Sequence, residues 1–237
     1  MNPRTPSRLA ALAAALIVPA WPAAGQSGFP FQDESLRYGI NWQSGLSLGE
    51  AAMTAHHAGN GWVFTVSVSA AVPGFTLNDS YHAVTDNGLC SQELNRTMDH
   101  GGKSGTERTT FDQAAGSAKR VTLFPAGGGE STFSILSCAR DAVAYVYYAR
   151  EELGQGRMPQ SQQVYFGSAY TVHLTYVGEE TLRVGDKPAV TDHLTVSLKG
   201  PKSDCAVEVF YARDAARTPL VIRIPAQLGT LSLELAR

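Results

Sequence analysis

The chain of 237 residues carries 19 basic and 21 acidic side chains, for a net charge of −2 and a pI near 6.3. With no basic stripe or acidic tail, this balance argues against nucleic acid as a partner. After an N-terminal export segment, about 210 residues remain, enough for one all-β domain with a sizeable core.

That segment has Arg4 and Arg8 ahead of an unbroken apolar run from Leu9 to Val18, followed by Pro22-Ala23-Ala24-Gly25. A positive start, a short apolar core and small residues mark a signal peptide over residues 1–25, cleaved near Ala24 or Gly25. The run is too short to span a bilayer, and no later stretch is long and apolar enough to do so. The product is expected to be soluble outside the cytoplasm, periplasmic or secreted, as a single domain over residues 26–237.

Beyond a Gly/Pro linker, Leu36 to Trp42 reads as a strand, and Leu46 to His57 as the next. Trp62 to Ala71 alternates most clearly, with Phe64, Val66, Val68 and Ala70 opposite Thr65, Ser67 and Ser69. Asn87-Gly88 predicts a tight hairpin with positive φ, and Asp99 to Gly105 an exposed turn. Glu107 to Asp112 pairs next with Ala118 to Phe124, after which Gly127 to Gly129 releases the chain.

Ser137 to Gly154 has the pattern of a helix. Val143, Val146, Tyr147 and Arg150 recur at helical spacing, with Ser137 placed as N-cap and Gly154 as the left-handed closing residue. Alternation then resumes around Tyr170–Tyr176, Leu194–Leu198, Val207–Tyr211, Leu220–Ile224 and Leu231–Leu235. About a dozen strands, each oily on one side, must twist and curl. The expected fold is mostly β: one large curled antiparallel sheet, a spiral or open barrel, around a central α-helix at roughly 138–153.

Three cysteines, Cys90, Cys138 and Cys205, allow three pairings in an oxidising compartment, with three free thiols as the alternative. Cys90 with Cys138 is favoured because it staples a strand to the start of the helix, leaving Cys205 unpaired and half-buried. No CxxC or paired-His spacing suggests zinc. Of the six histidines, His56 and His57 are adjacent and point to opposite faces of a strand, and His82, His100, His173 and His193 are scattered. No metal or cofactor is expected.

Segments from both ends and the middle, FQDESLRYGINWQSGLSLGEA, TTFD at 109–112, DAVAYVYYAREELGQGR and ARDAARTPLVIRIPAQLGTLSLEL, together resemble the DUF3108 family of exported bacterial proteins. The resemblance runs from about Phe29 to Leu235. Positions that fit its pattern are Glu34, Tyr38, Trp42, Gly49, Phe111, Asp112, Asp141, Tyr148, Arg150, Asp214, Pro219 and Gly229. It implies a periplasmic β-spiral around a helix, akin in shape to lipoprotein-carrier folds, and no agreed activity.

Catalytic constellations do not stand out. There is no GxSxG elbow, and Gly102-Lys103-Ser104-Gly105 lacks the context of a phosphate-binding loop. Glu34, Glu107, Asp112 and Glu130 offer carboxylates at no fixed separation. Glu34, Tyr38, Asp112, Asp141, Arg150 and Asp214 are read as structural, with Arg150 complementing the helix dipole and pairing with a carboxylate. Trp42, Phe64, Tyr147, Tyr148 and Tyr176 are the candidate apolar lining of a concave site. The expectation is a non-enzymatic protein binding a lipid-like ligand or envelope component. An envelope scaffold and a carboxylate-dependent hydrolase of cell-wall or polysaccharide material are the alternatives.

Overall fold

Among the described residues, single-sided alternation produces fifteen strands in one sheet. The computed structural model describes residues 33–72, 74–201, 204–226 and 229–236. The export segment expected over residues 1–25 and the linker that follows it lie outside this range.

A first antiparallel meander comprises β1 (Asp33–Trp42), β2 (Ser47–Ala58), β3 (Gly61–Val72) and β4 (Phe75–Asp86). It continues through β5 (Ser91–His100), β6 (Lys103–Asp112), β7 (Ser117–Phe124) and β8 (Glu130–Ser134). Then β9 (Arg140–Asp141) leads into α1 (Ala142–Gly154), and β10 (Gln162–Tyr165) pairs parallel with β9. The second meander is β11 (Ala169–Val184), β12 (Lys187–Lys199), β13 (Asp204–Ala212), β14 (Pro219–Ala226) and β15 (Gly229–Leu235). β15 lies antiparallel to β1, with Tyr38 opposite Leu235 and Trp42 opposite Leu231. The two meanders therefore join at the centre of the sheet, leaving β8 and β9 as its edges.

Twist accumulated over so many strands rolls the sheet. The β9 edge comes to rest against the start of β5, where Ser91 N donates to Ala139 O at 2.9 Å. Gln113 Nε2 donates to Ser91 O and Ala139 O across the same seam. The Cys90–Cys138 disulfide closes it, with the two Cα atoms 4.7 Å apart. Inside the roll lies α1, buried on more than one side: Val143, Tyr147 and Arg150, but also Ala144, Tyr145 and Ala149. Tyr147 packs with Phe64, Ala83 and Tyr38, while Tyr145 and Ala149 pack with Val172, Leu174, Leu194 and Val209. A smaller cluster of Val184, Phe210, Leu220 and Val221 forms separately. Phe210 alternates with the helix-facing Val209 and Tyr211, which places it on the convex side.

The helix begins later than its apolar spacing suggests. Cys138 has φ +53°, and Arg140 and Asp141 are occupied in the parallel bridge to Val164 and Tyr165, so Ser137 cannot cap. The N-cap is Asp141, whose Oδ1 accepts from Val143 N at 2.8 Å and Ala144 N at 3.0 Å. At the other end Gly156, not Gly154, takes the left-handed turn at φ +73°. Gly154 serves close approach instead, since a Cβ there would sit 2.8 Å from Ala215 O.

Other differences have local causes. Around Asn87-Gly88 the positive φ falls on Leu89, because Asp86 Oδ1 takes both the Gly88 and Cys90 amides and shapes a wider loop. Residues 99–105 are mostly strand, with only Gly101 and Gly102 turning, at φ +58° and +90°. Cys205 is exposed rather than half-buried, lying where β13 leaves its turn.

Replacing Asp141 by Ala should lower the unfolding free energy by about 1–3 kcal/mol, through the lost cap and the stranded Ser91 hydroxyl. Asp141→Asn, which keeps an acceptor, should lose less. Urea unfolding curves compare them, and equal losses would show that the cap is not the source.

Candidate functional site

The site is built around Arg150, the largest fully buried side chain. Alternation along β1 puts Glu34, Leu36, Tyr38, Ile40 and Trp42 on the concave side, so the one carboxylate in that row faces the helix. Arg150 Nη1 and Nη2 donate to Glu34 Oε2 and Oε1 at 2.7 and 2.8 Å, the bidentate fork that guanidinium geometry favours. Its Nε donates to Ala216 O at 3.1 Å, and the Tyr147 ring centroid lies 5.2 Å from the guanidinium carbon. Ala216 is presented by a loop that Asp214 closes, accepting from Thr218 N and Thr218 Oγ1. Tyr38 OH donates to Pro219 O at 2.9 Å beside it. Arg150 thus serves β1 and the β13–β14 loop rather than the carbonyls at the helix end, which corrects the dipole reading.

The expected aromatic lining does not converge on one chamber. Phe64 and Tyr147, both 0% exposed, stack on each other with centroids 4.0 Å apart, so they are core. Tyr148 is half-buried beneath the Arg140 guanidinium at 3.8 Å. Trp42 is half-buried at the far end of β1. Tyr176 is 48% exposed, because it lies past Leu174 along β11 at the level where α1 has ended. There it lines a cleft of about 140 Å³ with Leu153, Met158, Leu194 and Tyr211. An ion-paired Asp192 and Arg217 form its polar wall.

The carboxylates considered for hydrolysis are held separately. Glu107 faces Arg96 at 3.8 Å, Glu130 faces Lys119 at 2.7 Å, and Asp112 Oδ1 accepts from Ala115 N. Among the described residues, no group of three or more His, Cys, Asp or Glu side chains is arranged to hold a metal. Sequence patterning missed Asp79, a 9% exposed carboxylate on the concave side of β4. It accepts from Tyr81 OH and lies 2.7 Å from His100 Nε2. His100 pairs with Leu77, two residues beyond the Asp79–Met98 pair and on the same face, a register that no local pattern reports.

Cover thins along several strands of the concave face. Along β1, β3, β5 and β12, which run in the same direction, the inward side chains change from buried to half-buried. Tyr38 and Ile40 give way to Trp42, Phe64 to Val66, Val68 and Ala70, Leu94 to Met98, and Leu194 to Val196 and Leu198. At the end away from α1, half-buried side chains of β1, β3 and β15 therefore stand among buried ones, Leu48 and Ala51 of β2 in particular. On β11, Val172 and Leu174 stay buried opposite Leu198 and Val196.

The family model described as "Protein of unknown function (DUF3108)" matches residues 37–236. The chain belongs to the DUF3108 family. No curated protein matches it. The fold of this DUF3108 protein is similar to the crystal structure of a beta-barrel-like protein of DUF1849 from Brucella abortus. The TM-score is 0.59 at 8% identity, over 87% of this chain and 97% of that one, a likeness of fold alone.

Two outcomes follow from the geometry around Arg150. Arg150→Met should cost about 3–5 kcal/mol by stranding Glu34, and adding Glu34→Gln should recover part of the loss. A single-variant loss no larger than that of an exposed pair, under about 1 kcal/mol in urea unfolding, would refute the anchoring role. Burial pushes the Tyr211 phenol up to about 12, with Arg150 acting in the opposite direction. Burial also raises Tyr38, Tyr145 and Tyr147. These phenols keep their protons in the fold after an unfolded chain has released them, so their contribution is complete below about pH 10. It is lost as the pH rises toward about 12. Thermal unfolding followed across that window should show the decline, in step with a late tyrosinate absorbance change.

Proposed function

We propose that this DUF3108 protein is exported to the periplasm and binds a lipid-like or other apolar component of the cell envelope, without catalysing a reaction. The site is the set of half-buried aliphatic and aromatic positions at the end of the concave face away from α1. One observation carries the reading: Trp42, Val66, Val68, Ala70, Leu231 and Leu233 face the same side as fully buried core residues yet remain half-buried. Ala70 lies about 20 Å along β3 from Phe64, where α1 packs, at strand rise per residue. Aliphatic side chains arranged in a concave row, with few polar groups between them, suit an acyl chain or similar hydrocarbon. The Asp79–His100 pair stands at the edge of this surface, so an amphiphile would find hydrogen-bonding groups there.

Native mass spectrometry of the exported protein, purified without detergent, should show a bound mass in the lipid range, and delipidated protein should take up a fluorescent fatty-acid probe. Val68→Glu should weaken that uptake at least about tenfold, or about 1.4 kcal/mol, with the melting temperature retained. An apo mass together with no probe uptake would end the proposal.

A further inference from the structure

We infer that the Cys90–Cys138 bridge is a thiol-exchange site, open to a dithiol in the folded protein, and that its reduction loosens the N-terminal end of α1. The reading is independent of the apolar-ligand proposal.

Four features converge on the bridge. It lies at the surface: Asn87, Gly88, Leu136 and Ser137 around it are exposed, Leu136 at 60%, so a reagent has a path to the sulfurs. Its flanks are strained, because Leu89 and Cys138 both hold left-handed backbone at φ +60° and +53°, where L side chains rarely sit. A guanidinium stands beside it, since Arg140 Nη2 donates to Gly88 O at 3.2 Å, the carbonyl that both sulfurs approach at 3.8 and 3.9 Å. A neighbouring cation stabilises a leaving thiolate, and exposed or strained bridges are the labile ones.

The fourth feature is position. Cys138 is three residues before the N-cap Asp141, and Cys90 adjoins Ser91, whose hydroxyl donates to Asp141 Oδ2 at 2.6 Å and accepts from Asp141 N. Seam and helix cap are therefore neighbours of the bridge, and cutting it releases the two left-handed residues together.

The exchange balances in two steps. A thiolate of the dithiol attacks one sulfur, the S–S bond breaks, and the other cysteine leaves as a thiolate beside Arg140. The reagent's second thiol, once deprotonated, displaces the protein sulfur from the mixed disulfide. The dithiol ends oxidised to a disulfide by two electrons, and the protein ends with two thiols after proton uptake.

The test treats the full exported chain with dithiothreitol in native buffer, alkylates free thiols and counts them by mass. Exposed Cys205 labels with or without reductant and serves as the internal standard. Cys90 and Cys138 are expected to label without denaturant. Amide exchange over Val143–Tyr147 should then rise about tenfold or more, while the β2–β4 strands stay protected. Arg140→Gln, which leaves the bridge in place, should slow the reduction several-fold. A Cys90→Ser/Cys138→Ser chain should reproduce the loosened helix end without reductant. A bridge that resists until denaturant is added, or helix exchange unchanged after reduction and in the double variant, overturns the inference.

Discussion

A guanidinium with no exposure to water is the constraint around which this fold is arranged. Taking Arg150 out of solvent costs several kcal/mol, and the cost is offset only if charge and hydrogen bonds meet it in place. Glu34 and Ala216 meet it from 116 and 66 residues away. β1, α1 and the β13–β14 loop must therefore arrive together. A slip of the helix by one residue would turn the guanidinium by about 100° and strand it, so the contact selects one seating of α1. Apolar packing of Tyr147 on Phe64 tolerates small shifts, whereas the fork on Glu34 does not.

Enclosing a helix within an antiparallel meander raises a topological problem, because hairpins alone never bring a chain into the roll. The solution is the parallel bridge between β9 and β10, a crossover of the kind antiparallel sheets otherwise lack. Both ends of the crossover are tied to the first meander. At the entrance, Ser91, Gln113 and the disulfide hold the seam. At the exit, the turn after β10 places Phe166 under the Arg96 guanidinium at 4.7 Å and gives the Gly167 carbonyl to Arg120. The second meander is attached through β10 and β11, so the helix couples two halves whose other junction is β1 with β15.

Much of this was legible in the residues. Alternation located the long strands, and helical spacing located α1 to within a few residues, because both are periodicities that one-sided burial enforces. The family pattern also marked Glu34, Tyr38, Asp141, Arg150 and Asp214, which the structure places at the helix and its anchoring loops. What stayed hidden depends on pairing across the chain. β8 reads ESTFS, with Phe133 its single large apolar residue, and β9 is two residues long, so neither carries a period. Asp141 wins the cap over Ser137 because of a bridge to Val164 and Tyr165 that no local signal announces. The aromatic lining failed for a similar reason. Tyr176 has the parity of an inward residue, but parity does not say where the helix ends.

That last point separates two parts of the concave face by chemistry. The helix end is filled by large side chains with polar tips, Tyr38, Tyr145, Tyr147 and Arg150, whose burial is specific and rigid. The opposite end is lined by short aliphatic groups, Val66, Val68 and Ala70, with Leu231 and Leu233 across the sheet, which need no fixed partner. A hydrocarbon entering there would displace water rather than protein contacts, and removing water from half-buried aliphatic surface is favourable by itself. On the proposed reading, stability and binding would be carried by different ends of the same strands, so substitutions at Val68 would alter one with little effect on the other.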